Sequence, residues 1–161
     1  MQTLFFTAFL ATLIFSLFPM ITFANAPTDS SASKDSPAPK EESKEEAAAI
    51  RAAESVTKAW LALIDKKQYK EAWDQSSNLM KNTLDLDTWN QVMLHVREPF
   101  GTVTSREVAD ERTAKDPKGL PAGDYMVMFY KTVFSNRPNA YELVTLFYDD
   151  GVWRVVTYQV N

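Results

Sequence analysis

The sequence has no cysteine, one histidine and four glycines in 161 residues. Without cysteine there is no disulfide framework, no cysteine–zinc site, no thiol nucleophile and no lipidated N-terminal cysteine. With His95 alone, a two-histidine metal site is excluded. No Lys/Arg-rich run occurs and the formal net charge is −4, so the electrostatic footprint of a nucleic-acid binder is missing. The chain also lacks Gly-x-Ser-x-Gly, a phosphate loop, a dinucleotide fingerprint and His-Glu-x-x-His. Asp85/Asp87 and Asp149-Asp150 do not have calcium-loop spacing; capping and turn formation account for both. Neither a metal nor a cofactor is implied.

What is present is a globular composition, 45% hydrophobic and 12% aromatic, at a length that suggests one domain. It is preceded by two other segments. Leu4 to Phe23 carries no charge, and Ala24-Asn25-Ala26 comes next as a small-x-small cleavage site. Residues 1–26 therefore read as a signal peptide, although Met1-Gln2-Thr3 has no Lys or Arg. An uncleaved anchor is the alternative, since the apolar run is about long enough to span a bilayer. Either way the remainder is expected outside the cytoplasm, periplasmic or secreted. Residues 27–46 read as a disordered linker of Pro, Ser, Lys, Glu and Ala. Most of the chain's excess acid lies there, which leaves the domain at 47–161 nearly neutral.

Three helices are expected next. Ile50, Ala53, Val56, Trp60 and Ile64 make one apolar stripe from about Glu46 to Lys66. A second helix starts near Gln68, with Tyr69, Ala72, Trp73, Ser76 and Met80 on one face. A third starts at the N-cap Asp85 and buries Leu86, Trp89, Met93 and Val96, ending near Pro99 and Gly101. From Thr102 the period becomes two. A polar first strand runs to about Thr113, and further strands lie at Asp124–Phe134, Tyr141–Tyr148 and Val152–Val160. Asp150-Gly151 marks a two-residue hairpin. Its register places Tyr148 opposite Trp153, Leu146 opposite Val155, Val144 opposite Thr157 and Glu142 opposite Gln159. Both faces of this hairpin are largely apolar. The fold class is α+β: three N-terminal helices packed on a curved four-stranded antiparallel meander, a cone with a small cavity.

Trp60-Leu61-Ala62-Leu63-Ile64-Asp65, Ala72-Trp73, Val96-Arg97-Glu98-Pro99-Phe100-Gly101, Glu142-Leu143-Val144-Thr145 and Gly151-Val152-Trp153-Arg154-Val155 occur in this order. In order and spacing the chain resembles the bacterial family called domain of unknown function 4019, over about Ala53 to Val160. Phe100 stands where a smaller aliphatic is expected. The resemblance implies a small exported protein of nuclear transport factor 2-like or cystatin-like shape. It implies no activity.

The residues offer few sites. Arg97 and Arg106 flank the helix-to-strand junction; either pairs with an acid such as Glu142, or the two together hold an anionic ligand. Glu142 interrupts an apolar strand and in a pocket would be a candidate base. His95 could act as an acid or base at a cavity mouth, and Tyr125 could line a pocket. For each, the structural role is the more economical reading. The expected function is a non-catalytic binding or interaction domain, acting through a small apolar cavity or a dimerising sheet face. Its partner is a second copy or a small apolar ligand. The alternatives are a small-pocket enzyme of isomerase or hydratase type, and a membrane-anchored structural protein of the envelope.

Overall fold

The computed structural model describes residues 42–161, and side chains from residue 44. The expected leader and the linker up to residue 41 lie outside the described residues. Helix α1 spans Glu42–Asp65 and so begins four residues before the expected start at about Glu46. Its first turns are Glu-, Lys- and Ala-rich, and high helix propensity extends it. Ala53, Thr57, Trp60, Leu61 and Ile64 are buried along one face. The helix ends with Lys67 in the left-handed region (φ 59°) and Gln68 N–H donating to the Leu63 carbonyl, a tight C-terminal reversal.

The second expected helix is two. Helix α2 covers Tyr69–Gln75 and α3 covers Asn78–Thr83. Ser76 and Ser77 are extended between them. Ser77 accepts from Leu79 N–H as the N-cap of α3, and its own N–H leaves the helix to donate to the Val155 carbonyl at 2.8 Å. A hydrogen bond to the sheet edge thus replaces one in the helix. Helix α4 (Leu86–Val92) begins as expected, with the Asp85 carboxylate accepting from Thr88 N–H at 2.8 Å. Helices this short are marginal alone. Three indoles fasten them together: Trp60 Nε1 donates to the Ala72 carbonyl, Trp73 Nε1 to Leu84 and Trp89 Nε1 to Tyr69.

The end of the third expected helix departs from periodicity. Met93–Arg97 form a π-turn, and a 3-10 turn comes next at Glu98–Phe100. A π-turn holds one extra residue and rotates every side chain beyond it. Val96, expected inside, is 37% exposed, and Arg97 is 4% exposed in its place. Gly101 then turns the chain at φ 83°, a conformation that disfavours a Cβ.

Four strands, β1 (Val103–Lys115), β2 (Asp124–Phe134), β3 (Ala140–Asp149) and β4 (Val152–Val160), form an antiparallel meander, curved and not closed. Asp150 and Gly151 both have positive φ, as the two-residue hairpin requires. The register from this turn holds through Leu146 opposite Val155. A bulge then shifts it by one: Thr145 pairs with Thr157, Val144 with Tyr158 and Glu142 with Val160. Thr157 and Gln159 therefore do not share the face of Glu142; Tyr158 does.

The inner face, carrying Met126, Met128, Val144, Leu146, Trp153 and Val155, packs on Trp60, Trp89 and Met93 of the helices. These side chains form one core between the helices and the sheet. Phe100, Phe134 and Ala140 make a second, smaller cluster at the end where the π-turn meets the sheet.

Gly101 gives a direct check on this junction. A Cβ there would run into the Ser135 hydroxyl, besides carrying the positive φ. Gly101→Ala should cost about 2 kcal/mol, read as a lowered urea midpoint with an unchanged slope.

Candidate functional site

The sequence candidates separate into three places. Arg97, Arg106 and Glu142 converge. Tyr125 lies toward the opposite end of the sheet, where its hydroxyl donates to the Pro121 carbonyl at 3.0 Å and its ring meets Phe147. His95 is exposed on the π-turn, with Nδ1 2.8 Å from the Gln91 carbonyl one turn back. His95 and Tyr125 thus take no part in the cluster around Glu142.

That cluster is built by six elements. Arg106 projects inward from β1 beside Thr132 of β2, its register partner. Glu142 comes from β3 and is 1% exposed. Arg106 Nε donates to Glu142 Oε2 at 2.6 Å and Nη2 to Oε1 at 3.1 Å, a bidentate pair. The other side of the same guanidinium donates to Asp65, at the C-terminus of α1, at 2.8 and 3.0 Å. Asp65 also accepts from Arg97 Nη2 at 3.1 Å, and Arg97 Nη1 donates to the Gly101 carbonyl at 2.9 Å. Arg97 is stacked on Phe134, 4.3 Å from the ring centroid. Thr132 and Tyr158 each donate a hydroxyl to Glu142 at 2.6 Å.

The charges in the cluster balance, although Arg97 Nε is buried without a partner. Two guanidinium groups face two carboxylates. Burial disfavours the charge on Arg106, but bonds to Asp65 and Glu142 outweigh it and hold its pKa above the ordinary value. Glu142 accepts four hydrogen bonds, two on each oxygen. A carboxylate has about four acceptor positions. None is left to take a proton from a substrate, so the geometry argues against Glu142 as a base. Likewise, the carboxylates that the two arginines hold are the chain's own.

Burial pushes the Tyr158 phenol well above 10, and the neighbouring Glu142 charge adds to this. Burial also pushes Tyr130 up to about 12, with a smaller contribution from Glu54. The Tyr130 hydroxyl is buried, and Thr57 beside it acts in the opposite direction. Tyr69 likewise reaches about 12, through burial and then Glu98, which accepts its hydrogen bond.

Sequence reasoning missed Asp65, Thr132 and Tyr158. Asp65 was available only as the last polar residue of an apolar helix, with no periodic signal to link it to an arginine 41 positions away. Tyr158 faces Glu142 only because of the bulge.

With this geometry established, comparison with known families is informative. Residues 56–158 match the family described as "Protein of unknown function (DUF4019)". The chain belongs to that family. The match runs from the middle of α1 to Tyr158 and so includes every member of the cluster. A search of curated proteins finds no match. Family membership therefore fixes kinship without supplying an activity.

Two outcomes test the cluster. Glu142→Gln leaves the largely buried Arg106 with Asp65 as its one carboxylate, and turns one acceptor of Glu142 into a donor; it should destabilise the fold by about 3 kcal/mol in urea melts. The second is alkaline. Tyr69, Tyr130 and Tyr158 have raised pKa values in the fold, so their contribution is fully present below about pH 10. It is lost as pH rises through the folded-state values. The urea midpoint should hold steady to about pH 9 and fall above about pH 10, and Tyr158→Phe should flatten that fall.

Proposed function

We propose that this chain is an exported, non-catalytic interaction domain of the cell envelope that works through the outer face of its sheet. One observation carries the reading: the sheet is apolar on both sides, but the helices use only one. The outer face presents Phe129, Leu143, Phe147 and Val156, half-buried, around buried Val127 and Thr145. None of these belongs to the clusters that pack on the helices. An antiparallel sheet with one solvated face normally alternates apolar and polar residues. A contiguous apolar face with charged residues at its margin has the anatomy of an interface.

The case against catalysis is the saturation of Glu142 and the distance in the fold between it, His95 and Tyr125. The case for export is the uncharged run Leu4–Phe23 with Ala24-Asn25-Ala26 directly after it. An interior filled by Trp60, Trp89, Met126 and Met128 favours the outer face over a cavity as the working surface.

Native mass spectrometry of the full chain, produced by a host that exports it, tests this. The intact mass reports whether residues 1–26 have been removed, and a mature N-terminus at Ala26 or Pro27 is expected. A species heavier than the single chain, carrying either a bound molecule or another chain, should be present. It should be lost in Leu143→Asp and kept in Arg51→Asp, an exposed position on α1. A bare monomer throughout would sink the interaction reading, and retention of residues 1–26 would sink the cleaved leader.

A further inference from the structure

The pattern of size and charge on the outer face says more about its occupant. Two neighbouring levels cross the middle of this face. One carries Asp110, Phe129 and Leu143 on β1, β2 and β3; the next carries Arg112, Val127 and Thr145 on the same strands. The first level is bulky and ends in an acid, while the second is small and ends in a base. Asp110 and Arg112 lie on one face because they pair at 2.9 Å and Arg112 stacks over Phe129. Both are about half exposed, with side-chain exposures of 48% and 46%.

We propose that the face is covered by a second copy of the chain, stacked with its strands antiparallel to the first. The two-fold axis lies between the sheets, perpendicular to the strands, midway between these two levels. This rests on the outer face being the working surface. The operation lays each strand over itself in reverse, so the bulky central level meets the small one. Phe129 stands over the partner's Val127 and Leu143 over the partner's Thr145, which is how two sheet faces interdigitate at native packing density. At the margin Asp110 meets the partner's Arg112, and symmetry provides the contact twice.

The other two-fold arrangement, with its axis along the strands, is poorer on both counts. It would set Phe129 over the partner's Leu143 and Val127 over the partner's Thr145, large on large and small on small. It would also place Asp110 and Arg112 over the uncharged partner residues Gln159 and Thr157. Only the first arrangement is complementary in both volume and charge.

The test is a charge exchange, read by sedimentation and native mass spectrometry on the full exported chain, with circular dichroism confirming the fold of each variant. Wild type should be a dimer. Asp110→Arg and Arg112→Asp each set like charges opposite one another twice and should weaken dimerisation by about tenfold. The double exchange should restore it to within about threefold, and Leu143→Asp should give monomer. A wild-type dimer indifferent to both single exchanges but lost in Leu143→Asp would overturn this arrangement and leave the outer-face reading standing; one that survives Leu143→Asp as well would overturn both. A wild-type monomer carrying an adduct that Leu143→Asp removes would overturn the second copy as occupant, again leaving that reading. A bare monomer would overturn both.

Discussion

Arg106 is the residue on which the rest of the polar architecture depends. One side of its guanidinium holds Glu142 on β3; the other holds Asp65 at the end of α1. The planar, always-charged fork suits this bridging in a way that a lysine point charge would not. A buried ion pair gains little over apolar packing, but removal of one partner strands the other's charge. The bridge therefore acts as a specificity device. It is satisfied only when α1, β1 and β3 are in one relative position, and Arg97, Thr132 and Tyr158 extend the condition to the π-turn, β2 and β4. The apolar core would tolerate small slips between helices and sheet; this cluster would not.

Two backbone irregularities serve that centre, and both insert one residue. The π-turn at Met93–Arg97 sends Val96 out and Arg97 in. The β4 bulge sends Tyr158 in where a regular strand would send Thr157 and Gln159. In each case an uncovered backbone irregularity would be costly, and a charge-assisted hydrogen bond at the same position offsets it. Irregularity and polar centre thus explain one another. The Phe134 ring under Arg97 and the left-handed Gly101, whose carbonyl Arg97 holds, complete the junction where the helical half passes into the sheet.

This also marks the boundary of what the sequence made legible. Strand limits at Asp124–Phe134 and Val152–Val160, the Asp85 cap and the Asp150-Gly151 turn could all be read, because each is a local signal of period or turn chemistry. The α+β order came from them. The pairing of an arginine at the helix-to-strand junction with Glu142 was also within reach, because a lone acid inside an apolar strand needs a cation. The break at Ser76-Ser77 was not, because Ser77 leaves the helix for a hydrogen bond to Val155, 78 residues away in the chain. Val96 and the far half of the β3–β4 register were misplaced for one reason: periodicity assumes that no residue is inserted, and one was. Asp65 escaped because nothing local distinguishes an ion-pair partner from a solvated helix end.

The placement of polar and apolar surface gives the strongest argument about how such a domain is used. Titratable groups that would ordinarily suggest chemistry are consumed in holding elements together: Glu142 has no free acceptor position and Arg106 is spent on two carboxylates. What remains uncommitted is apolar area on the side of the sheet away from the helices. Bulges in β1 between Val103 and Ser105 and between Val108 and Asp110 make that edge poor for adding another strand, and its charged side chains reinforce the effect. Association through backbone pairing is thereby discouraged, while association through the face is left open. A sheet whose inner face is fixed by a rigid polar bridge offers its outer face as a preformed surface, and preformed surfaces lose little entropy on binding. On the proposed reading, one side of the sheet supplies stability and the other recognition.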